Sequence, residues 1–75
     1  MATYNGHRSW NAWNVSLWIN NDEGLYNLAL DCIRANRNRA LAARAFCLNV
    51  GTECTPDGGR YNPTAVLAAM VGMQA

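Results

Sequence analysis

Acid–base or nucleophilic chemistry needs two polar groups brought together, and this sequence offers few. Its carboxylates are Asp22, Glu23, Asp31, Glu53 and Asp57, and its single histidine is His7. General acid–base work requires two titratable groups held in one cleft. Asp22 and Glu23 are neighbours at an expected helix start, where capping explains them. Asp31 stands three residues before Arg34, at the spacing of an ion pair on one helix face. The cysteines, Cys32, Cys47 and Cys54, are odd in number and form no Cys-x-x-Cys pair. A thiol nucleophile needs a base beside it, and His7 is a poor candidate. The spacings of 15 and 7 residues between the cysteines match no common zinc pattern. The expectation is no catalytic site, no metal, no cofactor and no disulfide framework.

The remaining chemistry is that of contact. All six basic residues are arginine, and lysine is absent. Arginine makes planar, bidentate contacts suited to interfaces and phosphates, although a GC-rich coding bias accounts for the same composition. Arg34, Arg37, Arg39 and Arg44 crowd one expected helix–helix corner. With aromatics nearby, that corner is a candidate nucleic-acid surface. A formal net charge of +1 argues against it, because DNA-binding domains carry a clear basic excess. Tryptophan is concentrated as Trp10, Trp13 and Trp18, with Asn11, Asn14, Asn20 and Asn21 around them. Interfaces favour tryptophan, tyrosine and arginine over lysine and glutamate. The expected partner-binding residues are therefore Trp10, at the start of its helix, with Arg34, Arg37, Arg39, Arg60 and Tyr61.

Seventy-five residues make one domain with a thin core. Residues 1–8 read as a polar, flexible tail and 9–75 as a single helical domain. Ser9 is the expected N-cap of a helix from Trp10 to about Asn20, ended by Asn20-Asn21. Its apolar residues occupy two faces, which predicts a position at the centre of the domain. Asp22 caps a second helix to Ala35, with a stripe of Leu25, Leu28, Ala29, Cys32 and Ile33. Asn38 caps a third, Arg39 to about Asn49, ended near Gly51. Residues 51–62 read as loop, with a turn at Pro56-Asp57-Gly58 in which Gly58 takes the left-handed conformation. Asn62-Pro63 starts a fourth helix to about Gly72. The expected fold is an all-α bundle of about four short helices. Its expected core is Trp13, Leu17, Trp18, Leu25, Leu28, Cys32, Ile33, Phe46, Val66 and Met70. No apolar run reaches the ~18 residues of a membrane span, and the N-terminus has no signal-peptide stretch, so the cytoplasm of the cell that makes it is the expected location.

The block Trp13-Asn-Val-Ser-Leu-Trp-Ile-Asn-Asn-Asp-Glu-Gly-Leu-Tyr26, with Thr55-Pro-Asp-Gly58 and Tyr61, resembles a family of small proteins encoded by bacteriophages and other mobile elements. The resemblance spans about residues 9 to 71. It implies an accessory product that disarms a host defence, as anti-CRISPR proteins do, by occluding a protein component. Two other readings stand beside it: a small nucleic-acid-binding regulator using the arginine corner, and a self-associating structural accessory. The oligomeric state is left open by the sequence.

Overall fold

The structure, a computed structural model, describes residues 9–73; the expected tail at 1–8 lies outside them. Four helices follow one another: α1 Trp10–Asn21, α2 Glu23–Ala35, α3 Arg39–Asn49 and α4 Pro63–Met70. The fold is all-α, as the sequence predicts. Each helix begins on a capping side chain in extended backbone. Ser9, Asp22, Asn38 and Asn62 accept from the amides of Ala12, Leu25, Leu41 and Ala65 at 3.1, 2.9, 2.9 and 2.8 Å. Each such bond satisfies one of the amides that a helix start leaves without a partner. The C-terminal ends of α1, α2 and α3 use asparagine as well. Asn20, Asn21, Asn36 and Asn49 each donate from Nδ2 to the carbonyl four residues earlier, at 2.7 to 2.8 Å. α1 therefore runs through Asn20-Asn21 instead of breaking there, and stops at Asp22, whose backbone is extended.

α1 packs on α2 and α4, and α3 packs on α2 and α4. The helices thus form a ring in which α1 and α3 are the diagonal pair. The shared core is Val15 and Ile19 from α1, Ala29 and Cys32 from α2, Ala42, Ala43 and Phe46 from α3, and Ala65, Val66, Ala69 and Met70 from α4, closed by Met73. Alanines let the helix axes approach closely. Phe46 is the only large ring among these residues, and it meets Tyr61 with centroids 5.8 Å apart and planes tilted by 58°.

The expected core needs revision on α1. Leu17 is 39% exposed, and Trp13 and Trp18 are half-buried outside the core cluster. α1 does not sit at the centre of the domain. With only α2 and α4 against it, the helix buries the side bearing Val15 and Ile19. At 3.6 residues per turn, Trp10, Trp13 and Leu17 fall on the side away from them. A chain this short has too little mass to wrap a helix on every face. Leu25, Leu28 and Ile33 pack on the edge of the core, while Cys32, Phe46, Val66 and Met70 are buried as expected.

Arg39 also makes contacts within the fold. Its guanidinium reaches the C-terminal end of α4, where Nε donates to the Met70 carbonyl at 3.2 Å and Nη2 donates to the Met73 carbonyl. These carbonyls lie at the negative end of the α4 dipole. Arg39 thus ties α3 to the end of α4 while its side chain remains exposed. Arg39→Ala should lower stability by about 1–2 kcal/mol, since hydrogen bonds to charged groups contribute about that much. Urea titration of the two chains measures it, and Arg37→Ala should change the midpoint little.

Candidate functional site

The loop after α3 folds into a tight turn before it reaches α4. The Gly58 amide donates to the Thr55 carbonyl at 2.9 Å, the Thr55 amide to the Gly59 carbonyl at 2.7 Å, and the Tyr61 amide to the Glu53 carbonyl at 3.0 Å. Pro56 presets the first corner, and Gly58 takes a φ of 95°, a conformation costly for other residues.

This turn is clamped onto α1 by side chains spaced one and two helical turns apart. Asn11 makes a two-way bond with the Arg60 backbone: its Nδ2 donates to the carbonyl at 3.0 Å and its Oδ1 accepts from the amide at 2.6 Å. Asn14, 1% exposed, accepts from the Thr55 hydroxyl through Oδ1 and donates to Asp57 Oδ2 at 3.1 Å. Trp18 Nε1 donates to the same Asp57 oxygen at 2.9 Å. The Thr55 hydroxyl oxygen in turn accepts from the Gly59 amide at 2.9 Å. Among the described residues every buried side-chain nitrogen and oxygen has a partner. Gly59 is required for the fit, because a Cβ there would sit 2.5 Å from Asn14 Oδ1.

The hydrogen bonds from Trp18 and Asn14 hold the Asp57 carboxyl below its ordinary value. A carboxylate whose folded pKa is lowered stabilises the fold fully above the unfolded value of about 3.9, and that stabilisation is lost as pH falls through the folded value. The melting temperature of the native chain should therefore fall more steeply below pH 4 than that of Asp57→Asn. Thermal melts of both chains across that range check the difference. Burial raises the Cys32 and Cys47 thiols, helped by Asp31 at Cys32 and by Cys32 at Cys47, so both stay protonated. All three cysteines are free.

The sequence-predicted contact residues do not form one surface. Trp10 is 39% exposed at the start of α1, one residue before the Asn11 that holds Arg60. Tyr61 is turned inward onto Phe46, and burial raises its hydroxyl pKa, with Asp22 and Cys54 adding to the shift. Arg34 pairs with Asp31 at 3.4 Å on the surface, at the expected spacing. Arg60 lies beside the N-terminal end of α4, close to Asn62 and Thr64, whereas Arg39 lies at the opposite end of that helix. Arg34 and Arg37 belong to the α2–α3 corner on the Arg39 side.

The structure brings forward three groups that sequence reasoning missed. Asn11, Asn14 and Asp57 build the clamp. Trp13 and Leu17 join Trp10 in an outward apolar stripe on α1. Trp18, Leu25, Leu28, Val50, Pro56 and Tyr61 wall a cleft of about 760 Å³ between α1, α2 and the loop.

These features define a small four-helix domain whose loop is docked on its first helix. Its sequence places it: the chain belongs to DUF7249, a family of unknown function, whose profile matches residues 1–74. No curated protein and no solved structure matches it. Among the described residues, no helix is long and apolar enough to cross a membrane.

Proposed function

We propose that this is a non-catalytic binding protein that works by covering a surface of a protein partner. The partner class we propose is a component of a bacterial defence system, such as a CRISPR effector complex. This follows the resemblance of residues 13–26 and 55–58 to phage and mobile-element proteins. The supporting observation is the outward face of α1, where Trp10 and Leu17 are each 39% exposed with the half-buried Trp13 between them. Exposed indoles on a rigid element are typical anchors of protein interfaces. The clamp strengthens the reading, because it fixes the Arg60 backbone beside the start of α1 before any partner arrives. Such preorganisation lowers the entropy lost on binding. The proposed surface is therefore Trp10, Trp13, Leu17 and Arg60; Arg39 reaches the end of α4 and Tyr61 packs on Phe46, both away from this face. The Cys32 and Cys47 thiols stay protonated and Asp57 is engaged in holding the turn, which favours contact over chemistry.

The test is capture of partners from a bacterial host lysate with the native chain and with a Trp10→Ser, Leu17→Ser chain. A phage-plating assay with and without the gene runs alongside. The reading expects a defence component that is retained by the native chain, lost from the double variant, and matched by a change in plating. Capture unaffected by the substitutions, or unchanged plating, contradicts it.

A second reading rests on the exposed Arg37 and Arg44, which flank the exposed Leu41 on and before α3. A nucleic-acid regulator using them requires binding that falls steeply with salt and with Arg44→Ala. Binding with no salt dependence removes that alternative.

A further inference from the structure

The cleft between α1, α2 and the loop has a lining that points to a ligand class. Its volume, about 760 Å³, lies within the usual range for small-ligand sites, roughly 300–1,000 Å³. Leu25, Leu28, Val50 and Pro56 supply an apolar wall, and Trp18 and Tyr61 supply aromatic rings. Both rings are held in place, Trp18 through its Nε1 bond to Asp57 and Tyr61 through its packing on Phe46. Among the described residues Asp22 is the one charged residue in the lining, and no arginine joins it. Its Oδ1 accepts from the Leu25 amide at 2.9 Å, and among the described residues no donor reaches Oδ2. Asp57 is not a lining residue; its part is to hold the Trp18 ring through the 2.9 Å bond from the indole nitrogen.

We propose that this cleft binds an organic cation, an ammonium or guanidinium group on a short apolar stem. The stem lies along Leu25, Leu28 and Val50, and the positive group meets the aromatic rings and the Asp22 carboxylate. Aromatic faces attract cations most strongly where water is partly excluded, and a nearby carboxylate adds to that attraction. An anion is repelled by Asp22. A purely apolar ligand would take water from that carboxylate without replacing its hydrogen bonds. The same chemistry is available from a free amine or from a lysine or arginine side chain of another protein. This cleft uses the loop-facing side of α1 and is independent of the outward stripe proposed above for partner binding.

The probe experiment follows Trp18 fluorescence in a Trp10→Phe, Trp13→Phe chain. One arm titrates choline and butylguanidinium against the uncharged carbon isostere of choline. A second arm titrates short capped peptides bearing lysine or arginine. Saturable binding in either arm is expected, with the cation favoured over its isostere by roughly fivefold or more, a ratio in keeping with a partly exposed cation–π contact. Asp22→Asn should weaken it roughly threefold, and this variant keeps the helix cap, because asparagine caps as well as aspartate. Tighter binding of the free amines assigns a small molecule as the source, and tighter binding of the peptides assigns a protein side chain. Equal binding of the isostere, no effect of Asp22→Asn, or no saturable response to any probe overturns the proposal. In the unmodified chain, choline should slow alkylation of Cys54, which lines the cleft, without slowing that of Cys47. Equal rates at Cys54 with and without choline overturn it independently of any variant.

Discussion

Phe46→Ala should leave the chain largely unfolded at 37 °C. The Phe46 side chain is fully buried and is the one aromatic ring within the buried core cluster of the described residues, with Tyr61 packed against it. Its neighbours on α3 and α4 are mostly alanines, whose short side chains cannot move in to fill the space. Removing a buried phenylalanine costs about 3–5 kcal/mol, with the upper end where the surroundings cannot collapse. It also leaves Tyr61 without its ring partner, a further cost of about 0.5–1.5 kcal/mol. Domains of this size are stable by roughly 5 kcal/mol, so the loss consumes most of what is available. Alanine's better helix propensity returns only a few tenths. Circular dichroism with urea titration measures the effect, and Phe46→Leu should recover a folded, weaker domain. A loss under about 1 kcal/mol would show that Phe46 is not the centre of the core.

Breaking the clamp should be the next most damaging change. Gly59→Ala places a methyl group 2.5 Å from Asn14 Oδ1 and 3.1 Å from Asn14 Cβ. Asn14 cannot yield, since it is buried and bonded to both Thr55 and Asp57. The turn must lift from α1, at a cost of about 1–3 kcal/mol typical of overpacking. Asn14→Ala fails differently. It leaves the buried Thr55 hydroxyl without its acceptor, which costs about 1–3 kcal/mol. Because both substitutions undo the same contact, the double variant should cost much less than the two single losses added together. Urea midpoints of the four chains give that coupling directly. Simple additivity would mean that turn and helix are not one unit. By comparison, nothing lies within 4 Å of a Cβ at Gly58, so Gly58→Ala should carry only the strain of its positive φ.

The helix starts were legible because capping is local. Ser9, Asp22, Asn38 and Asn62 each act within three residues of themselves, and their positions in the sequence identify them. The Thr55–Gly58 turn was legible for the same reason. The clamp was not. Asn14 and Thr55 are 41 positions apart, and a helical asparagine gives no sign of which distant hydroxyl it will meet. Asn11, Asn14, Asn20 and Asn21 were read as the surroundings of an interface, yet Asn20 and Asn21 finish α1 while Asn11 and Asn14 hold the turn. Leu17 was misplaced because apolar spacing shows that a helix has a face but not how many neighbours will cover it. Arg39 looked like surface charge because its carbonyl partners on α4 are 31 and 34 residues away. The two sequence blocks that carry the family resemblance, on α1 and at Thr55–Gly58, turn out to be the two halves of one contact.

That contact is the foundation of both the outward tryptophan face and the cleft behind it, and the exchange of indole protons with solvent tests it most directly. In a proton–nitrogen NMR experiment at neutral pH, the Trp18 indole proton, bonded to Asp57 at 2.9 Å, should exchange slowly. That protection should disappear in Asp57→Ala, while the Trp10 indole exchanges freely in both chains. Rapid exchange at Trp18 in the native chain, or protection unchanged when Asp57 is removed, would contradict the docking of the turn on the first helix.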